Sequence, residues 1–508
     1  MEMESIQHFL ESKTILVTGS TGFLGKLLVE KILRIQPNVK KFYLLLRAPD
    51  DDSAIQRMQS EVIGKELFKE IRGKWGKEFE SFISEKLIPV AGDVSMQNLG
   101  VKDANLSEEM WKDIDVIVNS AATTDFYERY DTALNINSMG VMNVLKFAMK
   151  CVKLKMLLHV STAYVCGEGE GVIMEKEVYQ GETLKSTSSK LDFEIEMKLA
   201  AQKLDALRSQ GISEQLIASD MRDFGLQRAK KFGWPNTYVF TKALGEMCIG
   251  QYKDSLPTVI IRPTMITSTY KEPFPGWIEG LRTVDSVVVG HGKGKITCFL
   301  ADPGCIMDMI PGDMLINAMI VAMVAHANQC PSRTSNNNNN NNNYNNIYHV
   351  GSSLRNPVNF SSLRQFSYSY FTKNPLINMD GKPIIISKGI VFSNMAIFRI
   401  YMLLCYLIPL QILQLLSKAF PSYFRDLYVT NMRKFNLVTR LVQLYKPYVL
   451  FKGIFDDTNS ERLRGKAREM SSSNDEVDLF NFDPKCIDWK DYLINIHIPG
   501  VKKFVIKK

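Results

Sequence analysis

The sequence predicts an α/β fold, a doubly wound parallel sheet with helices on both faces, followed by a smaller, mostly helical C-terminal domain. Three observations predict it. Short runs that are apolar throughout recur along the first half of the chain, helical or loop sequence separates them, and a glycine-rich turn joins the first run to an amphipathic stretch. Uniformly apolar runs suit the central strands of a parallel sheet, which is covered on both faces. Strands alternating with helices over about 250 residues are the pattern of a doubly wound sheet.

The first run is Thr14-Ile15-Leu16-Val17-Thr18, and the turn is Gly19-Ser20-Thr21-Gly22-Phe23-Leu24-Gly25. Leu27, Leu28, Ile32 and Leu33 then mark one face of a helix, and Phe42-Tyr43-Leu44-Leu45-Leu46 is the second strand. Lys13 to Arg47 is thus the size of one βαβ unit. Glycine turns also end strands for purely structural reasons. Placed between a buried strand and a helix start, however, this one lets the backbone approach a phosphate beside free N–H groups and a positive dipole end. The unit therefore reads as Rossmann-type, with Thr18, Gly19, Thr21, Gly22, Phe23, Leu24 and Gly25 as candidate dinucleotide contacts.

Arg47 ends the second strand, where NAD-preferring units carry an acidic residue for the ribose 2′-OH. An arginine pairs instead with a 2′-phosphate, which predicts NADP(H). A plain surface arginine followed by Asp50, Asp51 and Asp52 is the other reading. The third run, Leu87-Ile88-Pro89-Val90, leads to Gly92-Asp93, and the fourth, Val116-Ile117-Val118, leads to Asn119-Ser120-Ala121-Ala122. Both lie at carboxyl ends of strands, where ligands sit in open α/β sheets. Asp93 is a candidate acceptor for an adenine amino group or else caps a turn. Asn119, Ala121 and Ala122 are candidate cofactor neighbours, the alanines small enough for close passage or simply packed.

Composition narrows the class. The chain has 508 residues, 45% hydrophobic and 23% charged, as expected of a globular protein with two or three domains. A net charge of +8 fits anionic cofactors, a membrane surface or ordinary surface lysines. With no basic stripe carrying interleaved aromatics, nucleic acid is not an expected partner. Eight scattered cysteines without a CxxC pair point to reduced thiols on the cytosolic side rather than a disulfide frame. Six histidines, none at metal-ligand spacing, give no metal site. Met1 to Ser12 has no apolar core of a secretory signal, and Ile506-Lys507-Lys508 is not a Ser-Lys-Leu signal.

The fifth run, Leu157-Leu158-His159-Val160, ends in Ser161-Thr162-Ala163-Tyr164-Val165-Cys166-Gly167. Farther on, Pro235-Asn236-Thr237-Tyr238-Val239-Phe240-Thr241-Lys242 begins a helix with Asn236 or Thr237 as its cap, before a sixth run, Thr258-Val259-Ile260-Ile261. Tyr238 and Lys242, four apart, share a helix face. A nearby ammonium stabilises a phenolate and lets a tyrosine exchange its proton near neutrality. A hydroxyl at the preceding strand end can hold a carbonyl oxygen as it becomes an oxyanion.

Glycine turn, Ser161-Thr162, Tyr238 and Lys242, in this order, resemble an extended short-chain dehydrogenase/reductase. Longer phrases are similar to those of the fatty acyl-CoA reductases: Trp234-Pro235-Asn236-Thr237-Tyr238, Ile261-Arg262-Pro263-Thr264, Tyr270-Lys271-Glu272-Pro273-Phe274-Pro275-Gly276-Trp277, Ile347-Tyr348-His349-Val350-Gly351, Tyr445-Lys446-Pro447-Tyr448 and Phe455-Asp456-Asp457. The likeness covers nearly the whole chain and looks closest to the plant branch. It implies reduction of a long-chain acyl-CoA to a primary alcohol with NADPH, through an aldehyde held on the enzyme. In that scheme Tyr238 donates the proton, Lys242 lowers its pKa and holds the nicotinamide ribose, and Thr162 binds the carbonyl oxygen. Thr162 is preferred to Ser161 because it lies five residues before Gly167, although Val165-Cys166-Gly167 replaces the related Val-Tyr-Gly. The resemblance also places the protein at the endoplasmic reticulum or peroxisomes. Oligomeric state and acyl chain length are not specified. Two rival readings are another extended reductase acting on a sterol or nucleotide-sugar and a non-catalytic NADP-binding scaffold at a membrane.

The expected division is a reductase domain over 1–330 with a helical insertion at about 168–232, an asparagine-rich disordered loop over 331–346, the end of the reductase domain over 347–377, and a helical domain over 378–508. Leu191, Ile195, Leu199, Leu204 and Leu207 mark the insertion's helical spacing, as a surface pair or a lid. Asp308 to Asp313 precedes an apolar helical run to Ala327. Residues 400–416, almost wholly apolar, fit a buried helix, an interfacial one or a marginal span, and a lipid substrate makes a membrane surface an expected partner. Thr458-Asn459-Ser460-Glu461 predicts a capping box.

Overall fold

The computed structural model describes residues 5–187, 190–281, 283–327, 346–378, 380–471 and 473–506. The asparagine tract, and with it the expected loop, lies outside them. Seven parallel strands form the central sheet: β1 (Thr14–Thr18), β2 (Lys41–Leu46), β3 (Leu87–Ala91), β4 (Val116–Asn119), β5 (Met156–Val160), β6 (Thr258–Pro263) and β7 (Ile347–Val350). Their spatial order is β7-β6-β5-β4-β1-β2-β3. The order reverses between β1 and β4, and a crevice opens there at the carboxyl ends of the strands. All six strands expected from the apolar runs are present. The seventh, Ile347-Tyr348-His349-Val350, pairs with β6 and is separated from it by more than 80 residues.

Both faces of the sheet are covered, as uniformly apolar strands require. Ile15 and Val17 of β1, Leu44 and Leu46 of β2 and Val116 and Val118 of β4 face one core, while Leu16, Tyr43, Leu45 and Ile117 face the other. This is the period-2 alternation of a strand. The helix Gly312–Ala327 is buried along its whole length and packs on β5, β6 and the helix Phe23–Ile35.

The segment after β5 contains the helices Phe193–Ser209 and Glu214–Phe232. Their inner face differs from the leucine pattern. Ile195 is half exposed, while Glu196, Ala200 and Leu207 are buried. Glu196 is tolerated inside because Tyr130 Oη donates to it at 2.6 Å and Arg228 pairs with it.

The C-terminal part begins with a helical hairpin, Met395–Ala419 and then Pro421–Val449. A short strand, Lys452–Phe455, pairs in parallel with Glu170–Ile173 of the segment after β5. The next helix, Thr458–Met470, is not started by a capping box. Its N-cap is Asp457, and the Thr458 hydroxyl donates to Asp456 instead of capping. The helix begins one residue before the box would start it, so Thr458 already has helical backbone.

Candidate active site

The glycine turn is a cradle by steric necessity. Gly19 has φ +70°, and a Cβ there would stand 2.7 Å from the Ala121 nitrogen. A Cβ on Gly25 would meet the Gly19 carbonyl oxygen at 2.5 Å, so the first helical turn can press against the loop only as glycine. From Gly22 the helix Phe23–Ile35 runs away, its N-cap unserved by any side chain. Its first N–H groups are therefore available to an anion.

One cavity, of about 170 Å³, is lined by Gly19, Gly22, Phe23, Leu24, Gly25 and Ala122 on one side and by Ser161, Thr162, Tyr238 and Lys242 on the other. The structure thus brings the glycine loop and the Thr–Tyr–Lys set to one place. Thr18, Thr21, Arg47, Asp93, Asn119 and Ala121 do not line it. Thr18 and Ala121 brace the loop from behind, with Ala121 N–H donating to Thr18 Oγ1 at 3.2 Å. The Asn119 carboxamide, read as a cofactor neighbour, faces into the sheet and is engaged by Thr18 and His159. Asp93 Oδ1 accepts from the Ser95 N–H and hydroxyl, both at 2.8 Å, which makes it a turn cap. Arg47 is exposed, two residues past Leu45, which is paired in register with Thr18.

Several contacts fix the Thr162, Tyr238 and Lys242 side chains. Asn236 caps the helix of the last two, accepting from Val239 N–H at 3.1 Å. Trp234 Nε1–H donates to the Val165 carbonyl at 2.8 Å, tying this helix start to the turn that carries Thr162. Thr162 Oγ1 accepts from Tyr164 N–H at 3.3 Å, which leaves its own hydrogen to donate. Ser161 Oγ is buried without a hydrogen-bond partner among the described residues. Lys242 is buried, donates from Nζ to the Val160 carbonyl at 2.7 Å, and has its pKa pulled down to about 8 by desolvation, against the opposing charge of Glu246.

The C-terminal part packs behind these residues through contacts that sequence reasoning missed. Phe126 stacks on Tyr238 at 5.7 Å and on Tyr448 at 5.1 Å, while Tyr445 meets its edge at 6.2 Å. Asn236 Nδ2 donates to Tyr448 Oη at 2.8 Å. Burial raises the Tyr448 pKa, so it remains a neutral phenol. Asp285 on the far wall accepts from His497 Nε2 at 2.8 Å, and Ser268 N–H donates to the other ring nitrogen. The only prior signal was the Tyr445-Lys446-Pro447-Tyr448 phrase, which gave no hint of its place.

A glycine-cradled helix N-terminus, a strand-end hydroxyl and a Tyr–Lys pair on one helix face, around one cavity of a Rossmann sheet, define an extended short-chain dehydrogenase/reductase. The cradle, closed to any Cβ, and the partnerless Ser161 hydroxyl fit a bound dinucleotide and its substrate. The family model described as Male sterility protein, an NAD-binding model, matches residues 17–319, and a second of the same description matches 405–508. The chain is 54% identical to "Probable fatty acyl-CoA reductase 4" of Arabidopsis thaliana over the full length of both. It is 52% identical to "Alcohol-forming fatty acyl-CoA reductase" of Simmondsia chinensis over 99% of each. The chain belongs to the fatty acyl-CoA reductase family. Among solved structures, the terminal R domain of the myxalamid PKS-NRPS pathway shares the fold, with a TM-score of 0.54 at 16% identity, covering 92% of this chain and 89% of that one.

Proposed function

We propose that this protein reduces a long-chain fatty acyl-CoA to the primary alcohol and free CoA, using two NADPH and two protons. The observation that carries the reading is the convergence of Thr162, Tyr238 and Lys242 on the glycine loop, in a chain of this family from end to end. NADPH, when bound, supplies hydride to the carbonyl carbon. As the carbonyl oxygen gains charge, the Thr162 hydroxyl donates to it and Tyr238 gives it a proton. Collapse of the resulting hemithioacetal breaks the C–S bond, CoA leaves as thiolate and takes up a proton, and the aldehyde stays. A second hydride, with a second proton through Tyr238, gives the alcohol. Phe126, Tyr445 and Tyr448 keep water from the reacting carbon.

Incubation with NADPH and a long-chain acyl-CoA tests this. Fatty alcohol and free CoA in equal amounts, with two NADPH consumed per alcohol, are expected. NADPH oxidation without a lipid product would favour a sterol or nucleotide-sugar reductase. No oxidation with any substrate would favour a scaffold.

Arg47 is the proposed partner of the 2′-phosphate, beside the loop whose Ser20 hydroxyl donates to Leu45 O at 3.3 Å. Arg47→Ala is expected to weaken NADPH binding roughly 10- to 100-fold, the value of hydrogen bonds to a charged group, and to leave NADH binding unchanged. An undisturbed NADPH dissociation constant would refute the assignment.

The hairpin is the proposed membrane contact. Met395–Ala419 is long and apolar enough to cross a bilayer, yet only 17% of its most apolar stretch is buried in the protein. That exposure favours a membrane contact over a buried helix. Ile397, Ile400, Leu404, Ile408, Ile412 and Leu415 form one exposed stripe, with Leu415 67% exposed. A stripe of this kind lies in the interface, where an acyl tail partitions from the bilayer. Phospholipid vesicles are expected to carry the protein upward in a flotation gradient, and Leu404→Asp with Leu415→Asp to abolish this. Release of the wild type by alkaline carbonate is expected; retention would mean a span.

A further inference from the structure

Among the buried ionisable groups that the reduction leaves without a role, His159 stands nearest its chemistry. It precedes Val160 on β5, is fully buried, and places Nε2 3.3 Å from Lys242 Nζ. A chain of hydrogen bonds across three strands sets its tautomer. Ala121 N–H donates to Thr18 Oγ1, so the Thr18 hydroxyl hydrogen goes to Asn119 Oδ1 at 2.7 Å. A carboxamide oxygen only accepts, which turns the Asn119 NH₂ toward His159 Nδ1, 3.1 Å away. Nδ1 therefore accepts, and in the neutral ring the hydrogen sits on Nε2, facing Lys242. Burial, and next the Lys242 charge, hold the imidazole well below its ordinary pKa, so the ring is neutral.

An ammonium has three hydrogens and no lone pair. Facing the His159 Nε2–H it is a donor opposed to a donor, whereas the free amine accepts that hydrogen and still donates to the Val160 carbonyl. The other charged and titratable groups around Lys242 are few. Glu246, one turn along the same helix, is forked onto Arg262 of β6 at 3.0 and 2.5 Å. Tyr238 lies one turn before. Asp285 and Glu279 line the far wall, with Glu279 ion-paired to Lys26 and Asp285 to His497.

We infer that His159 is a positioning residue for the catalytic lysine: its Nε2–H, oriented through Thr18 and Asn119, favours the free amine of Lys242 until NADPH binds and draws the ammonium away. The inference rests on the NADPH reading above. Near and above pH 8, where the amine is free, cofactor binding then takes up a proton at Lys242, and affinity falls as the solution becomes too alkaline to supply it. The measurable consequence is a break in NADPH affinity near pH 8, the value to which Lys242 is displaced.

Calorimetric titration with NADPH, in paired buffers of different ionisation enthalpy, measures both affinity and proton uptake. In the wild type, affinity is expected to be level below the break and to weaken about tenfold per pH unit above it, with uptake approaching one proton. Lys242→Arg, which does not titrate in this range, is expected to lose the uptake. Asn119→Asp presents only acceptors to His159, moves the ring hydrogen to Nδ1 and leaves Nε2 to accept from the ammonium. Its break is expected to rise by about one pH unit. His159→Gln can accept from Asn119 and still point an N–H at Lys242, so its break is expected to stay near the wild-type position. An unmoved break in Asn119→Asp, or a shift as large in His159→Gln, would overturn the inference. So would NADPH binding by the wild type without proton uptake above pH 8, a result that needs no variant. Failure of the wild type to bind NADPH at any pH would overturn the functional reading itself.

Discussion

Tyr238→Phe is expected to turn over a long-chain acyl-CoA about 10³-fold more slowly than the wild type, the middle of the range for losing a positioned acid. The substitution removes one oxygen. The ring keeps its place against Phe126, stacked at an interplanar angle of 18°. NADPH binding is therefore expected to stay within a few-fold of wild type, so that kcat falls and the cofactor constant does not. Following the reduced nicotinamide under single-turnover conditions separates chemistry from release. Full turnover by this variant would remove Tyr238 from the role of proton donor and leave the Thr162 and Ser161 hydroxyls as the only donors at the strand end.

Glu246→Ala is expected to cost about 3–5 kcal/mol of unfolding free energy, because it strands a buried guanidinium. Glu246 and Arg262 are 1% and 3% exposed, and the two join the catalytic helix to β6 by a fork of two hydrogen bonds. The Arg262 side chain also approaches His349 Nε2 on β7, at 3.5 Å. A double variant, Glu246→Leu with Arg262→Met, removes both charges and is expected to recover most of the loss, since an apolar pair of similar volume carries no desolvation penalty. Urea unfolding of the three proteins measures this. A single variant as stable as the wild type would show that the pair is not buried in solution.

What could be read before the structure was what repeats locally. A strand of the inner sheet announces itself by apolar residues on both faces, so six of the runs were visible, as was the turn whose Gly19 and Gly25 admit no side chain. Tyr238 and Lys242 were legible because four residues on a helix set their geometry. Asn236 was legible as one of two candidate caps, with Thr237. The errors arose where a distant partner decides. Ile195 looked like a core residue until Tyr130 and Arg228 drew Glu196 inward and rotated the helix. Asn119 sat at the right strand end to meet a cofactor, but β1 and β5 on either side claim its carboxamide. Tyr445 and Tyr448 lie about 200 residues from Tyr238, and no period in the sequence links them. His159 looked like one more residue of an apolar run.

The helix Pro421–Val449 begins beside the exposed Phe420 and Tyr423, and Tyr448 in its last turn meets Asn236 and Phe126. At about 1.5 Å per residue it is a rod of roughly 40 Å between the hairpin's apolar tip and the reacting carbon. His497, farther along the chain, hydrogen-bonds Asp285 of the cavity wall. The reductase portion is therefore not a self-sufficient cassette. Chimeras that exchange residues 405–508 between relatives would transplant Tyr445, Tyr448 and His497, the partners of Phe126, Asn236 and Asp285, along with the supposed appendage. Substrate preference in such hybrids should follow both parents, and a crossover placed at 378 would separate Phe126, which stacks on Tyr238, from Tyr445 and Tyr448.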